Sequence, residues 1–236
     1  GEIFAAAGTG TSGGTLAFGV KENNFLGKNI SLETNIRLDE ETVKGKFSVV
    51  NPNWNYSDRS LISSIESSTT DRMGDYGYKT STTGFSFGSS WEQYDDLFFS
   101  PKLSVFYEKL DTNQTASDKL KKQEGEYFDT TFAYGLSLDK RNRRYQTTDG
   151  FTSRFNQRIP LLSDDYAFFN SYEFTTFNQI KEIVTKFSIQ ARAINSLSDD
   201  DVRVSKRLYV PGKRLRGFEP GKVGPIDGGD FIGGNY

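Results

Sequence analysis

The chain has 236 residues, enough for one large all-β unit or two small domains, and its 29 basic and 31 acidic residues nearly balance at a net charge of −2. The lack of a basic excess disfavours nucleic-acid binding, and the absence of Cys and His excludes disulfide frameworks, zinc fingers and Ser-His-Asp triads. Hydrophobic residues make up only 35% of the sequence but aromatic residues 14%, which suits a barrel with a thin apolar outer band and a polar interior.

Apolar and polar residues alternate with a period of two along much of the chain, which predicts β-strands. The pattern is clearest in residues 30–39, 43–50, 99–110 and 128–139. A helix would need apolar residues three and four apart, and these segments lack that spacing. In chain order the predicted strands are 2–9, 15–22, 30–39, 43–50, 60–68, 78–88, 99–110, 128–139, 151–159, 166–178 and 186–193.

The connections between the predicted strands suggest a membrane barrel. Compact connections at 23–29, 51–59, 92–97 and 140–150 alternate with a second set that includes the long polar stretches 111–127 and 196–230. Short turns at one end and long loops at the other are typical of outer-membrane barrels, and no apolar run is long enough for a transmembrane helix. We therefore expect an all-β, antiparallel transmembrane β-barrel. A soluble β-sandwich or an extracellular adhesin stays open, because its strands alternate too.

The last loop contains the most specific motif, Leu215-Arg216-Gly217-Phe218, followed by Gly224-Pro225 and by Gly233-Gly234-Asn235. This motif resembles the Val-Arg-Gly-Phe/Tyr signature in loop six of BamA-type outer-membrane assembly barrels, with Leu215 in place of the usual Val. The likeness extends over the whole chain, because the Asn24-Phe25-Leu26-Gly27, Asn51-Pro52 and Thr148-Asp149-Gly150 segments resemble periplasmic turns of the same family.

The resemblance implies a domain plan. Residues 1–196 would form strands one to eleven of a 16-stranded barrel, residues 197–230 would be extracellular loop six folding into the lumen, and residues 231–236 would begin strand twelve. About eleven strands do not match the even-numbered closed barrels of this class. We therefore expect a fragment truncated at both ends, with POTRA domains upstream and the last strands downstream.

The resemblance also implies a function without a catalytic residue, metal or cofactor. Such a protein would insert β-barrel proteins into the bacterial outer membrane, and its partners would be unfolded outer-membrane protein clients, accessory outer-membrane lipoproteins and the lipid bilayer. Arg216 would contact acidic or aromatic residues on later strands, although an ordinary solvated arginine is the simpler alternative. A related secretion pore or TamA-type translocation module remains open, and a passive porin or an outer-membrane enzyme is disfavoured.

The first predicted strand is the second candidate site. In the resembled family, a weak seam between the first and last strands opens sideways to template an incoming strand. An edge of this kind offers free backbone N–H and C=O groups. A plain first strand is the alternative. The residues of the candidate edge are Glu2, Ile3, Phe4, Ala5, Ala6, Ala7, Gly8 and Thr9.

Three further patterns receive simpler interpretations. The glycines of residues 8–13 fit a dinucleotide fingerprint, but a predicted strand follows them, so we expect a hairpin loop. The acidic run at 198–201 lacks the ligand spacing of a calcium loop. The charge-rich segment 119–126 is interpreted as a solvated surface with room for one short helical turn.

Overall fold

The structure is a computed structural model. It describes residues 1–10, 13–74, 76–199, 201–210, 215, 217–219 and 221–235. Eleven antiparallel strands form one sheet, in which each strand pairs with its neighbours in the sequence. This arrangement confirms the predicted all-β antiparallel fold. The strands are β1 (Glu2–Gly10), β2 (Gly13–Phe25), β3 (Ile30–Asp39), β4 (Thr42–Asn51), β5 (Ser60–Arg72), β6 (Tyr78–Tyr94), β7 (Leu97–Thr112), β8 (Gly125–Asp139), β9 (Gly150–Ser163), β10 (Ala167–Ile180) and β11 (Ile183–Ser196).

The two faces of the sheet differ in polarity. Phe18 pairs with Ile36 across β2 and β3, and both side chains stay exposed, as does Ile65 on β5. The opposite face carries Ser64 and Ser86, which are buried and hydrogen-bonded at 2.8 Å. We call these the apolar face and the polar face. An exposed apolar face opposite a polar one is the pattern of a barrel wall in lipid, and it confirms the predicted alternation.

Successive connections alternate between the two ends of the sheet. The turn end holds the β2–β3, β4–β5, β6–β7, β8–β9 and β10–β11 connections, and the loop end holds the others. The predicted contrast between short connections at one end and long connections at the other is only partly right. At the loop end, residues 40–41 alone join β3 to β4, while the turn end includes the connection 140–149. In β6, strand pairing continues beyond the apolar stretch into polar residues. The strand therefore reaches 17 residues, which shortens the connections on either side of it.

Helical structure in the described residues is confined to short segments. The helix α1 (Asp118–Lys121) follows Ser117, whose hydroxyl accepts a hydrogen bond from the backbone N–H of Leu120, and 3-10 turns occupy Trp54–Tyr56 and Val204–Lys206. The helix lies within the charge-rich segment 119–126 and its N-terminal flank, as expected. Within the described ranges, no helix has the length and apolar character needed to cross a membrane.

The described residues after β11 form only small elements. The ribbon of β12 (Ile226–Asp227) and β13 (Asp230–Phe231) lies outside the eleven-stranded sheet, and Phe231 pairs with Ile226. The carbonyl of Asn235 accepts a hydrogen bond of 2.7 Å from the backbone N–H of Ile194 on β11. The assignment of residues 231–236 to the start of a twelfth barrel strand stays a prediction.

The dinucleotide-like glycines join two strands, as predicted. β1 ends at Gly10 and β2 begins at Gly13, and these two residues pair across the hairpin. A helix would have to follow a dinucleotide fingerprint, and a strand follows it here.

Candidate functional site

Residues 202–209 of the last loop lie across the loop end of the sheet, against the polar faces of β7 and β8. Val202 and Val204 are each 1% exposed. Val204 joins a buried cluster with Leu110 of β7 and Leu120 of α1, and Val202 packs in a second cluster with Ile194 of β11. Burial of these two valines anchors the polypeptide between them, which carries Arg203.

Arg203 is the central charge of this contact. Its side chain is 2% exposed. The Nε atom lies 3.2 Å from Oε1 of Glu108 on β7, and Nη2 donates a hydrogen bond to Asp129 on β8. Asp165, in the β9–β10 connection, is 3.9 Å from Nε. Three carboxylates from three separate parts of the sheet therefore surround one arginine of the loop.

Lys206 adds a second cation to the same group. Its Nζ atom lies 3.0 Å from Asp129 and 3.4 Å from Asp165, and it also donates to the backbone carbonyl of Asp165 at 3.2 Å. Two cations thus face three carboxylates. We call Arg203, Lys206, Glu108, Asp129 and Asp165 the Arg203 cluster.

Neutral groups complete the surroundings of the cluster. The Arg203 guanidinium carbon lies 4.0 Å from the centre of the Tyr127 ring, a cation–π distance. Ser205 donates to Glu108 at 2.6 Å. Gln123 accepts from the backbone N–H of Val204 at 2.8 Å through its side-chain oxygen, and its backbone carbonyl accepts from the Tyr127 hydroxyl at 2.6 Å. These bonds connect the loop backbone to the β7–β8 connection.

The geometry of Arg203 leaves part of its hydrogen-bonding capacity unused. Its Nε is within ion-pair distance of Glu108 but is not aligned for a hydrogen bond, and Nη1 has no hydrogen-bond partner in the described part of the chain. Buried ion pairs contribute little net stability against an apolar substitute, but removal of one partner typically costs about 3–5 kcal/mol. The cluster therefore specifies where the loop lies more than it stabilises the sheet.

An aromatic cluster lies beside these charges. The rings of Tyr76 and Tyr209 meet edge to face at 5.5 Å between centroids, and Phe231 packs 6.3 Å from Tyr76. The guanidinium of Arg72 lies 5.0 Å from the Tyr76 ring and 5.6 Å from the Tyr209 ring. Burial raises the pKa of Tyr209, and its hydroxyl donates to the backbone carbonyl of Phe231 at 3.3 Å.

Gly233 allows the returning chain to approach this cluster. Its φ is +68°, and a Cβ atom there would lie 3.0 Å from both the carbonyl oxygen of Leu208 and the Tyr209 ring. The bridge between Leu208 and Gly234 depends on this close approach. Close packing thus explains the glycine at position 233.

The predicted loop-six motif is only partly described. Arg216 lies outside the described residues, so its predicted contacts remain untested. Leu215 is half-buried, Gly217 has a φ of +85°, and Phe218 is 61% exposed. None of these three belongs to the Arg203 cluster.

Sequence reasoning missed Arg203 and its partners. A usable signal was present, because Glu108 and Asp129 lie near the loop end on polar-face positions of adjacent predicted strands. Carboxylates grouped on a polar face call for a cation, and Arg203 follows soon after the last strand. Among the described residues, no group of three or more Cys, His, Asp or Glu side chains is arranged to hold a metal ion.

The first strand, β1, is loosely packed. It pairs with β2 along its whole length, from Glu2 with Lys21 to Gly10 with Gly13. Ile3 is 76% exposed, and the side chains of the other candidate edge residues are exposed as well, except for Phe4.

Phe4 is held by a glycine. A Cβ atom at Gly19 of β2 would lie 2.3 Å from the Phe4 ring, so the ring occupies the space above this glycine. In the described residues, β1 pairs on one side only and has no contact with β11 in the sheet. Its other edge carries backbone donors and acceptors for a further strand.

Comparison with known proteins agrees with this architecture. Residues 24–236 match the model of the Omp85 superfamily domain. The structure is similar to that of BamA from Haemophilus ducreyi lacking POTRA domains 1-3, with a TM-score of 0.83 and 20% identity over 94% of this chain. It is also similar to CdiB from Acinetobacter baumannii, with a TM-score of 0.52 and 13% identity over 92% of this chain.

These similarities show the barrel fold, and they show how much of each related structure this chain covers. The chain covers 46% of the BamA structure and 41% of the CdiB structure, so it spans less than half the length of each. The family match, by contrast, covers most of the chain. The chain therefore belongs to the Omp85 superfamily, and it forms part of a β-barrel of the bacterial outer membrane.

Proposed function

We propose that this chain is the barrel portion of a factor that assembles β-barrel proteins into the bacterial outer membrane, and that β1 templates the incoming client strand. The observation that carries the proposal is the weak packing of β1, whose side chains are exposed except for Phe4 while its backbone stays extended over nine residues. Pairing through the backbone tolerates clients of different sequence, because it uses groups that every residue carries.

The remaining parts of the proposal follow from the family. POTRA domains upstream of the barrel receive unfolded outer-membrane clients, and accessory outer-membrane lipoproteins assist. Assembly proceeds without enzymatic chemistry, metal or cofactor, because folding of the client into a closed barrel in the bilayer supplies the free energy. We further propose that loop six folds into the lumen and that Arg216, which lies outside the described residues, contacts later strands, while the Arg203 cluster holds the start of the loop.

The Arg203 cluster supports this proposal through position. It fixes the loop to β7, β8 and the β9–β10 connection, on the part of the wall far from β1 in strand order. The start of the loop is thereby fixed to strands other than β1. Strand β1 can then exchange partners without displacing it.

The test is a proline scan of Ala5, Ala6 and Ala7 in the full-length protein, reconstituted in liposomes, with the folding rate of a purified client barrel as the readout. Backbone N–H groups in a strand point alternately to either side, so successive prolines remove a bond to β2 and then a donor on the free edge. Proline at a free-edge position should leave the protein folded and slow the client. Ala6→Val, which changes only the side chain, is the matched control.

The proposal fails if every proline variant that folds assembles clients at the wild-type rate. A variant series in which client folding is unaffected, but export of a soluble protein is lost, would instead establish a secretion pore or a TamA-type translocation module.

A further inference from the structure

The connection between β8 and β9, residues 140–149, presents two arginines and a tyrosine at the turn end of the barrel. Arg143 and Arg144 are exposed, and Tyr145 is 88% exposed. Cations beside an aromatic ring at the edge of a membrane protein are suited to the zone where lipid headgroups lie.

The connection is ordered by its own side chains. Asn142 accepts hydrogen bonds from the backbone N–H groups of Thr148 at 3.2 Å and Asp149 at 3.3 Å, and its side-chain amide donates to the Thr148 hydroxyl at 2.7 Å. Thr147 donates to the carbonyl of Arg143 at 2.7 Å. The tip is therefore preorganised, so binding there loses little conformational entropy.

Two of the nearby carboxylates are engaged by other cations. Arg141 binds Asp139 in a bidentate pair at 2.8 and 2.6 Å, and Lys140 binds Asp96 of the neighbouring turn at 2.9 Å. In the described part of the chain, neither Arg143 nor Arg144 forms an ion pair. Arg143 thus remains available to an external anion, and so does Arg144, whose charge also acts on Asp139.

The apolar face extends close to this connection. On that face Leu138, one residue before the end of β8, pairs with Leu97, the first residue of β7. Farther along the strands, Trp91 and Phe99 meet at 5.1 Å between centroids, and Tyr134 packs 6.1 Å from Phe99. Such a row of aromatic side chains is typical of the girdle at a membrane interface. Residues 143–145 follow the end of β8 and lie beyond this row along the chain.

We propose that Arg143, Arg144 and Tyr145 form a docking site for anionic phospholipid headgroups at the turn end of the barrel. The guanidinium groups bind the headgroup phosphates, for which their paired donors are suited. The Tyr145 ring lies at the interface between headgroups and acyl chains. The site rests on the barrel fold and its membrane location, and it is independent of the proposed assembly function.

The experiment uses the full-length protein with one cysteine, Gln146→Cys, in a background whose other cysteines are replaced; this chain itself has none. The cysteine carries a fluorophore, and the protein is reconstituted in nanodiscs of phosphatidylcholine with increasing phosphatidylglycerol. A fixed trace of the phosphatidylglycerol bears a nitroxide quencher on its headgroup. Quenching then reports anionic lipid beside the connection.

We expect quenching to exceed that by nitroxide-labelled phosphatidylcholine, with each arginine contributing roughly fivefold to local anionic-lipid enrichment. Arg143→Glu/Arg144→Glu should abolish the preference, and Tyr145→Ala should reduce quenching. Lys121→Glu/Lys122→Glu, an equal charge reversal on exposed residues at the loop end, should change nothing. Equal quenching by both lipids would overturn the proposal. So would a fluorophore immobilised equally in lipid-free detergent, which would assign the tip to another protein domain.

Discussion

Arg203 and Asp129 are 74 residues apart in the sequence, yet they form a buried hydrogen-bonded ion pair where the last loop meets strand β8. The side chain of Arg203 is 2% exposed and that of Asp129 10% exposed. Because Asp129 also binds Lys206 and accepts a hydrogen bond from Ser163, one carboxylate of the barrel wall organises the start of the loop.

Arg203→Met should detach the start of the loop. The change leaves Glu108 and Asp129 buried with fewer cations, at a cost of about 3–5 kcal/mol. Limited proteolysis of the full-length protein should show faster cleavage within residues 197–230. Arg37→Met, which removes an arginine 58% exposed from its pair with Asp39, is the control and should cost at most about 1 kcal/mol. Equal cleavage of the wild type and the Arg203 variant would show that the loop is held elsewhere.

Arg203 and Asp129 should be energetically coupled. Arg203→Met/Asp129→Asn removes both charges of the pair, so the double variant should be less destabilised than the sum of the single variants. The expected coupling is about 1–3 kcal/mol, measured by thermal or denaturant unfolding in detergent. Strict additivity would mean that the two charges do not interact in solution.

Comparison of Gly233→Ala with Gly229→Ala should separate the effect of steric contact by the new Cβ atom from the effect of backbone strain. Both glycines have positive φ, +68° and +95°, so alanine costs about 1–2 kcal/mol at either position. Only at Gly233 would the new Cβ also press on Leu208 and Tyr209, since no atom lies within 4 Å at Gly229. Loop proteolysis should therefore increase more for Gly233→Ala. Indistinguishable variants would argue against the close approach at Leu208.

Gly19→Val should loosen β1. The added side chain would occupy the space of the Phe4 ring, the one half-buried side chain among the candidate edge residues, and its Cβ would also lie 2.7 Å from the carbonyl oxygen of Thr34 on β3. Hydrogen exchange should accelerate at β1 amides and stay unchanged in β7 and β8. Gly14→Ala, which meets no atom within 4 Å, serves as the comparison. Unchanged exchange at β1 would show that Phe4 contributes nothing to holding the strand.

The local alternation of apolar and polar residues predicted which segments form strands, but it predicted the lengths of the strands poorly. The alternation in residues 30–39 gives β3 with the correct bounds, because apolar and polar faces differ over its whole length. The alternation at 78–88 finds only part of β6, which extends to Tyr94. Pairing with β7 continues through Trp91 and Glu92, where side-chain polarity no longer alternates.

The site was less accessible to sequence reasoning, because its contacts join distant segments. Arg203, Glu108 and Asp165 come from the last loop, from β7 and from the β9–β10 connection, and no local pattern relates them. The path of the loop over the wall decides which cation meets which carboxylate. The motif around Arg216 was predicted from its resemblance to a known signature, whereas the described contact of the loop with the wall is made earlier, by Arg203.

The most direct test of the account is disulfide cross-linking between β1 and the terminal strand of a client during assembly by the full-length protein. Three single substitutions place a cysteine on one face of β1, two residues apart: Ile3→Cys, Ala5→Cys and Ala7→Cys. Antiparallel or parallel pairing predicts that each cross-links to one client position, with the partner shifting by two residues from one cysteine to the next. A client that assembles at the normal rate without such a ladder would contradict the templating role of β1.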